Sequence, residues 1–342
     1  MKNSILTFFL VANFAFAHGQ IATRAGVEVK FPDNCKSVRQ IKDGKLLQIL
    51  EFDKTKSIVF NNYLNTIRAV YQKSNGVTEQ IITVKYDVPL GVVKPTQLRI
   101  SIEYLNYDAK GRLIDSYTKA KLFDGIDSLV FKCSGREELK RYPKVLEALS
   151  TANIESKTIM RYDQKGNLEC ELSLNSRGDT SVQKYYQYNG NNQKIKDSTQ
   201  LLSKLFNVET YEYANKLLTK INTKSYNNNV SSTRNIYDAN GRLKEVRYFA
   251  NEQVLRSTKN EYTNSGRIKE FVSFSGNSSI PYSKSSYFFD AQSNLNKSVF
   301  EAPDIRITAY FNSNEFIVKE EEINVQTNKT KISNFSYEFG YF

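Results

Sequence analysis

Side chains able to do acid–base or nucleophilic chemistry are sparse in this sequence. His18 is the single histidine among 342 residues, so the rest of the chain can form no Ser–His–Asp or Cys–His arrangement and no histidine metal site. Cys35, Cys133 and Cys170 lie far apart without a Cys-x-x-Cys pair, and an odd count leaves one thiol over if two form a disulfide. The sequence therefore predicts no enzyme, no cofactor and no metal centre.

Carboxylates offer the remaining route to catalysis, because a pair of them can hydrolyse a glycosidic bond. The recurring ones, Asp108, Asp163, Asp238 and Asp290, occupy turn positions that already account for their presence. The other Asp and Glu residues are scattered along the chain. A secreted hydrolase is therefore the third and weakest of three functional hypotheses.

The composition indicates a folded, basic protein. The 48 Lys and Arg residues exceed the 36 Asp and Glu residues and give a formal net charge of +12. With 22 Tyr and 21 Phe the chain can bury a core, which argues against wholesale disorder. Basic residues are spread through the sequence without a run of five or more, so we expect no specific nucleic-acid binding.

The N-terminus has the layout of a secretory signal peptide over residues 1–17. Lys2 supplies a positive charge, a mostly apolar stretch follows over residues 5–17, and Ala15-Phe16-Ala17 is a small-x-small cleavage site. This stretch is shorter than the ~20 residues that span a bilayer as a helix, and no later segment has the pattern of a transmembrane helix. We therefore expect export to the periplasm, the cell surface or the medium.

One short pattern recurs: an aromatic residue, Asp or another turn former, two further residues, often Gly, a polar residue and an aliphatic one. The clearest copies are 107–113 and 237–243; 162–168 is nearly as good, and 262–268 lacks only the Asp. With weaker copies included, starts fall at positions 162, 188, 213, 237, 262, 289 and 311, in steps of 22 to 27 residues. Such regular spacing predicts a structural repeat.

Each copy has the residues of a tight hairpin corner. Asp at the first turn position can accept backbone N–H groups, and Gly can adopt the left-handed conformation that closes the loop. The flanking aromatic and aliphatic residues can pack across the turn. One period is then two strands of about 8–10 residues and two turns. The motif residues are Tyr107, Asp108, Gly111, Leu113, Tyr162, Asp163, Gly166, Leu168, Tyr237, Asp238, Gly241, Leu243, Tyr262, Gly266 and Ile268.

A helical segment near residues 136–149 interrupts the repeat. Leu139, Tyr142, Leu146 and Leu149 lie three or four positions apart, which places them on one helical face. Pro143 either kinks this helix or begins a second short one. The inserted helix accounts for the long interval between the copies at 107 and 162.

The predicted fold class is mostly β. Consecutive antiparallel β-hairpin repeats form an extended meander or solenoid-like sheet over residues 101–342, with the helical insertion near 136–149. Residues 18–100 form an N-terminal β region or cap, since solenoids need atypical end repeats. The expected strands there are 45–52, 57–60, 80–86 and 97–104.

The Tyr-Asp-x-x-Gly-Arg-Leu motif, at 107–113 and 237–243, resembles the YD repeats of RHS-type proteins. Members of that family build long antiparallel sheets that can curl into large shells, in bacterial toxins and in animal teneurins. The resemblance covers about residues 100–342. Shell-forming members are far longer, and this chain shows no cleavable toxin tail. The resemblance implies an extended β-repeat outside the cytoplasm, tied to surface contacts or carbohydrate binding, and it transfers no catalytic residues.

The leading functional hypothesis is an exported, non-enzymatic β-repeat protein of the cell envelope or exterior, with a structural or surface-binding role toward a glycan or cell-surface protein. The alternative is an outer-membrane β-barrel, which fits the signal peptide, the hairpin period and the terminal Phe342. Frequent mid-strand Lys and Arg residues oppose the barrel. So do the aromatic residues at 335, 337, 339 and 341, which are out of step with Phe342.

Overall fold

The computed structural model describes residues 34–54, 57–63, 66–72, 77–87, 97–125 and 129–341. The predicted signal peptide over residues 1–17 lies outside the described residues. The chain divides into two compact units, of which the first runs to Ile159 and includes 174–179 and 334–342. The second contains Met160–Ser173 and Thr180–Ser333.

The first unit contains strands β1 to β8, a 3-10 helix, two α-helices and the end of strand β22. Its strands are β1 (Cys35–Lys42), β2 (Lys45–Phe52), β3 (Ile58–Tyr63), β4 (Thr66–Gln72), β5 (Thr78–Asp87), β6 (Gln97–Tyr107), β7 (Leu113–Asp124), β8 (Asn153–Tyr162) and β22 (Lys329–Tyr341). The helical segment comprises a 3-10 helix (Val130–Lys132), α1 (Arg136–Lys140) and α2 (Pro143–Thr151). The four strands expected before residue 104 correspond to β2, β3, β5 and β6, and β6 runs through residue 100.

The strands of the first unit form an antiparallel ladder in chain order from β1 to β8. Strand β1 also pairs with β22, so that Val38 lies opposite Leu50 on one side and Phe339 on the other. At this seam, Gln40 Nε2 donates to the Tyr337 hydroxyl at 3.0 Å. Burial raises the pKa of Tyr337 to about 12. An extended sheet would leave the first and last strands as free edges; here those two strands pair with each other.

The helical segment covers one face of this ladder. Val130, Leu139, Val145 and Ala148 are fully buried against a sheet face that is mostly aliphatic. The apolar residues contributed by this face include Ile67, Ala69, Ile82, Val84, Leu98, Ile100 and Ile102. Burying such a face and the helical stripe together is the main stabilising contribution to this unit.

The predicted helical face is partly wrong. Leu139 is buried, and Tyr142 and Leu149 pack against the core, but Leu146 is 51% exposed. Pro143 begins α2, so the helix is interrupted and the register of α1 does not continue into α2. Val145 and Ala148 therefore face the sheet in place of Leu146.

Polar contacts fix the helical segment to the strands. Asn62, 7% exposed, donates through Nδ2 to the carbonyl oxygens of Phe131 (2.7 Å) and Cys133 (3.3 Å). The Tyr71 hydroxyl donates to the carbonyl of Arg136 at 2.7 Å. All three cysteines, Cys35, Cys133 and Cys170, are free and buried, and burial raises the pKa of the Cys133 thiol to about 11. None of them therefore forms a disulfide.

The second unit contains thirteen strands within the described chain. They are β9 (Leu168–Asn175), β10 (Thr180–Tyr188), β11 (Lys194–Leu201), β12 (Lys204–Ala214), β13 (Leu217–Ser225), β14 (Val230–Tyr237), β15 (Leu243–Ala250), β16 (Gln253–Tyr262), β17 (Ile268–Ser275), β18 (Pro281–Phe289), β19 (Leu295–Ala302), β20 (Ile305–Phe311) and β21 (Ile317–Asn324). Strands β10 to β21 pair antiparallel in chain order without interruption. This is the antiparallel meander of hairpins that the repeat predicts.

The motif turns form one edge of this meander, which we call the corner edge, and the intervening turns form the opposite tip edge. At the corner of Asp238, its N–H donates to the Arg242 carbonyl and the Gly241 N–H donates to the Asp238 carbonyl, at 2.9 and 3.0 Å. Asp238 Oδ1 accepts the N–H groups of Asn240 and Arg242, both at 2.9 Å. Gly241 has φ +76°, a conformation that glycine adopts without strain. Tyr237 pairs with Leu243 across this turn, next to a register shift.

Other first-turn residues replace Asp with little change in geometry. Asn189 and Asn312 accept the same pair of backbone N–H groups through Oδ1, and Thr263 accepts one through its hydroxyl. The copy at Tyr213 differs, because its turn is only Asn215 and Lys216, both with positive φ. A two-residue turn of this kind suits the twist of a hairpin.

A tyrosine hydroxyl links successive corners. The hydroxyls of Tyr188, Tyr213, Tyr237 and Tyr262 donate to carbonyl oxygens 19 or 20 positions earlier, at 2.7 to 3.0 Å. Each acceptor is the residue that follows the previous corner. The aromatic residue of the motif therefore has two roles, packing across its own turn and bonding to the repeat before it.

We predict that Tyr262→Phe lowers the free energy of unfolding by about 1 kcal/mol, because it removes the hydroxyl donor to Leu243 and leaves the ring in place. Urea unfolding measures the change. Tyr282→Phe is the control, since the Tyr282 side chain is 61% exposed. Equal losses for both variants would contradict the linking role.

A buried carboxylate joins the last three corners. Glu315, 2% exposed, accepts from Arg267 Nη1 at 2.6 Å and from the Leu295 backbone N–H at 2.7 Å. Arg267 also donates to the Ser293 carbonyl. One guanidinium and one carboxylate therefore hold three consecutive corners together.

We predict that Arg267→Met destabilises the protein by about 2–3 kcal/mol, because it leaves the Glu315 carboxylate buried without its cation. Adding Glu315→Gln removes that charge and retains an oxygen for the Leu295 N–H. The double variant is therefore expected to recover part of the loss in the same unfolding measurement. A double variant less stable than Arg267→Met would contradict this account.

Candidate functional site

The structure places the predicted motif residues at hairpin corners, where their polar atoms are used by the turns themselves. The pKa of each corner carboxyl is lowered, chiefly by hydrogen bonds from the residue four positions later in the chain. The donors are Arg112 for Asp108, Asn167 for Asp163, Arg242 for Asp238 and Asn294 for Asp290. These carboxylates are therefore structural groups.

The polar residue that precedes the aliphatic residue at the end of each motif lies in the space between neighbouring corners. The Arg242 guanidinium lies 4.7 Å from the ring centre of Tyr262, and that of Arg267 lies 4.4 Å from the ring centre of Phe289. Each arginine thus stacks on the aromatic residue of the next corner and fills the gap between them. At the corner of Asp163 this position is the shorter Asn167.

An open groove of about 350 Å³ lies beside Asn167 at this corner. Its lining consists of Asp163, Gln164, Lys165, Asn167, Glu169, Tyr186, Tyr188 and Asn189. Asn167 Nδ2 bonds to Asp163 Oδ2 at 3.0 Å and to Asn192 Oδ1 at 3.3 Å, so its side chain stays at the turns. The groove therefore presents two tyrosine side chains and a set of amide and carboxylate groups, together with one lysine.

A network of charged and phenolic groups adjoins the groove. Glu171 accepts from Lys184 Nζ at 3.2 Å and from the Tyr186 hydroxyl at 3.3 Å. Lys194 bonds to Asp197 at 2.7 Å, and its ammonium lies 4.2 Å from the ring centre of Tyr211. The network follows the cross-strand register, in which Tyr186 lies opposite Asp197 on β11.

The far end of this network has more acceptors than donors. The Tyr211 hydroxyl lies 2.7 Å from Asp197 Oδ2 and 2.6 Å from Glu209 Oε2. A phenol carries one proton, so it can donate to only one of these two carboxylates. Glu209 also accepts from the Thr223 hydroxyl at 3.3 Å. The network as a whole holds three carboxylates and two ammonium groups.

The phenols of this network titrate above the usual tyrosine range. Burial is the first cause of the raised pKa of Tyr186, followed by the charge of Glu171. Burial also leads for Tyr211, followed by its hydrogen bonds to Glu209 and Asp197. Both phenols therefore remain protonated donors at neutral pH.

Sequence reasoning missed this convergence of carboxylates. Asp197 and Glu209 are 12 positions apart and lie directly opposite each other on β11 and β12. Their alignment depends on the tip at Leu202 and Ser203, and on a register shift between Thr199 and Gln200. The motif marks the corners alone, so it carried no signal for the register at the tips.

No protein-family model matches the sequence, and no curated protein matches it either. Among solved structures, the chain is similar to the TcdB2–TccC3–Cdc42 complex, with 11% identity and a TM-score of 0.44 over 85% of this chain. It is also similar to the Tc holotoxin pore of Photorhabdus luminescens, with 11% identity and a TM-score of 0.45 over 87% of this chain. The chain spans 16% and 18% of those two toxin chains.

A porin-like protein from Bacteroides uniformis matches with 10% identity and a TM-score of 0.31, over 76% of this chain and 95% of that one. TM-scores below 0.5 fall short of a shared fold, so the function has to be argued from this chain's own geometry. Among the residues that the structure describes, no helix is long and apolar enough to cross a bilayer. Within the same residues, no three His, Cys, Asp or Glu side chains are grouped as metal ligands.

We predict that alkaline pH destabilises the protein less steeply in Tyr211→Phe than in the native chain. The folded pKa of Tyr211 is raised, so its contribution is complete below the unfolded value of about 10 and is lost as the pH rises above it. Unfolding free energies measured from about pH 9 to pH 11 test this slope. Tyr226→Phe, 69% exposed, should keep the native slope. Identical slopes for all three proteins would contradict the assignment.

Proposed function

We propose that this protein is an exported, non-enzymatic β-repeat protein of the RHS-like kind, and that the groove at Asn167 binds a neutral oligosaccharide. Export rests on the sequence pattern of residues 1–17. The repeat architecture rests on the corner geometry, which places aromatic and turn residues at regular intervals along one edge. The binding role rests on the groove itself.

The observation that carries the proposal is the open groove beside Asn167, a position held by Arg242 and Arg267 at two other corners. Where arginine occupies this position, it stacks on the next aromatic ring. With Asn167 instead, the side chains of Tyr186 and Tyr188 line an open depression. Tyrosine rings present flat apolar faces to sugar rings. Neighbouring amides donate hydrogen bonds to hydroxyl groups and accept from them, and carboxylates accept from them.

Charge favours a neutral sugar over an acidic one. The groove lining contains Asp163 and Glu169 against the single cation Lys165. The adjoining network has one more carboxylate than ammonium groups, and its acceptors outnumber its donors. A ligand rich in hydroxyl donors complements such a surface, whereas a polyanion is repelled.

The arrangement of carboxylates supports a binding role over hydrolysis. Asp163 is used by its own turn, and Glu171 by Lys184 and Tyr186. Asp197 and Glu209 converge, but both contact the Tyr211 hydroxyl. None of these groups is a pair flanking a cleft, as glycoside hydrolysis requires.

The experiment is a neutral-glycan panel probed with the chain lacking residues 1–17, followed by calorimetry on any ligand found. Asn167→Arg is expected to abolish binding, because the guanidinium stacks on Tyr188 and fills the groove as Arg242 does at its own corner. Asn264→Arg adds the same group to a different corner and should bind normally. Absence of binding across the panel, or full binding by Asn167→Arg, would overturn the proposal.

An outer-membrane barrel is the second candidate, and the pairing of β1 with β22 is the observation that favours it. A sheet in lipid must leave no edge strand unpaired. Opposing it, both faces of the second unit carry charges by register. Lys184, Asp197 and Glu209 lie on one face, and Glu245, Lys259 and Lys284 lie on the other. Neither face is the apolar band that lipid requires.

Fractionation of cells separates these two candidates. A barrel stays in the membrane pellet after a high-salt wash and needs detergent for release. The non-enzymatic repeat protein is expected in the soluble fraction or in the salt wash. Detergent-dependent release would overturn the first candidate and support the second.

A further inference from the structure

The two edges of the β10–β21 meander differ in chemistry. The corner edge places few large apolar side chains in its turns, and it includes the ion pairs Asp238–Arg242 and Arg267–Glu315. The tip edge carries large apolar side chains that are 42% to 76% exposed. Six of these are Leu202, Phe206, Tyr226, Leu255, Ile280 and Tyr282.

These tips form a connected series. The Tyr226 N–H donates to the Phe206 carbonyl, the Asn251 N–H to that of Val230 and the Gly276 N–H to that of Leu255, at 2.7 to 2.9 Å. Each bond joins one tip to the next along the edge. The Phe206 and Tyr226 rings also stack, with centres 5.9 Å apart. The side chains of Phe206 and Tyr226 therefore share one contiguous surface.

The same edge is basic. Between residues 201 and 332, the tips and adjoining strand ends carry six exposed cations: Lys204, Lys224, Arg256, Arg306, Lys329 and Lys331. They carry three exposed anions, Glu252, Glu301 and Asp304, which leaves a net charge of +3. Neither Lys204 nor Lys224 has a carboxylate within ion-pair distance among the described residues, so both charges are available to an external partner.

We propose that the tip edge docks on an anionic lipid bilayer surface, with the apolar tips entering the headgroup region and the lysines contacting lipid phosphates. Apolar and aromatic side chains interspersed with lysine match the layered chemistry of that interface, which is apolar below and anionic above. Asn and Ser between the tips suit the hydrated headgroup layer. The proposal is independent of glycan binding, because the groove lies on the corner edge.

The mode of contact is peripheral. Hairpin tips can enter the interface by the length of a side chain, while the charged strand faces stay in water. Such binding depends on the negative surface potential, which salt screens over about 10 Å at ordinary ionic strength. Docking by the tip edge is therefore released by salt, unlike membrane insertion.

The test is co-sedimentation of the chain lacking residues 1–17 with phosphatidylcholine vesicles, with and without phosphatidylglycerol. Binding is expected with the anionic vesicles alone and should fall as salt is raised. Lys204→Gln/Lys224→Gln should weaken it about tenfold. The matched control Lys216→Gln/Lys244→Gln removes the same charge near the corner edge and should bind as the native chain does.

A second variant tests the apolar part. Leu202→Ser/Tyr226→Ser/Ile280→Ser changes only exposed tip residues and is expected to lose vesicle binding with an unchanged circular dichroism spectrum. Equal binding to vesicles with and without phosphatidylglycerol overturns the proposal. Native-like vesicle binding by both sets of variants also overturns it. The native chain could instead fail to bind vesicles and form a dimer that the triple variant abolishes. That result assigns the tip edge to contacts between copies of the chain and also overturns the proposal.

Discussion

Apart from the two-residue turn at Asn215 and Lys216, the hairpin corners of the repeat depend on one side-chain oxygen at the first turn position. In most corners it accepts two backbone N–H groups that the turn would otherwise leave without partners. Asp238 does this through Oδ1, and Asn189 does it with the same geometry. Since the requirement is for an acceptor rather than a charge, Asp, Asn and, less completely, Thr can serve. The aromatic residue before it then reaches back to the previous corner, so a local turn becomes a link between repeats.

The turn acceptor fixes each corner, whereas other side chains occupy the spaces between corners. The corners are therefore similar in geometry, and the spaces between them differ. The turn geometry is fixed by hydrogen bonds to backbone N–H groups. The side chain of the residue that precedes the aliphatic residue of the motif can therefore vary. Arg242 and Arg267 extend to the next corner and fill the space there. Asn167 reaches Asn192 of the next corner, and an open groove lies beside it.

The two proposed binding roles rest on the two edges of the meander. The corner edge supplies the groove, where tyrosine and polar groups face solvent. The tip edge supplies exposed apolar side chains and excess positive charge. The sequence analysis found no converging carboxylates. Their convergence at Tyr211 arises from cross-strand alignment, and the carboxylates there are engaged with a phenol and a lysine.

The local features were readable from the residues alone. The Asp and Gly spacing predicted the corners, β2 has the expected bounds, and Pro143 was recognised as a break. These features depend on contacts within a few positions. The exposure of Leu146, the register at the tips and the pairing of β1 with β22 depend on partners far along the chain; Gln40 and Tyr337 are 297 positions apart. Periodicity limits which face a residue occupies, but only the folded sheet decides which residue lies opposite, because pairing register is a property of two strands together.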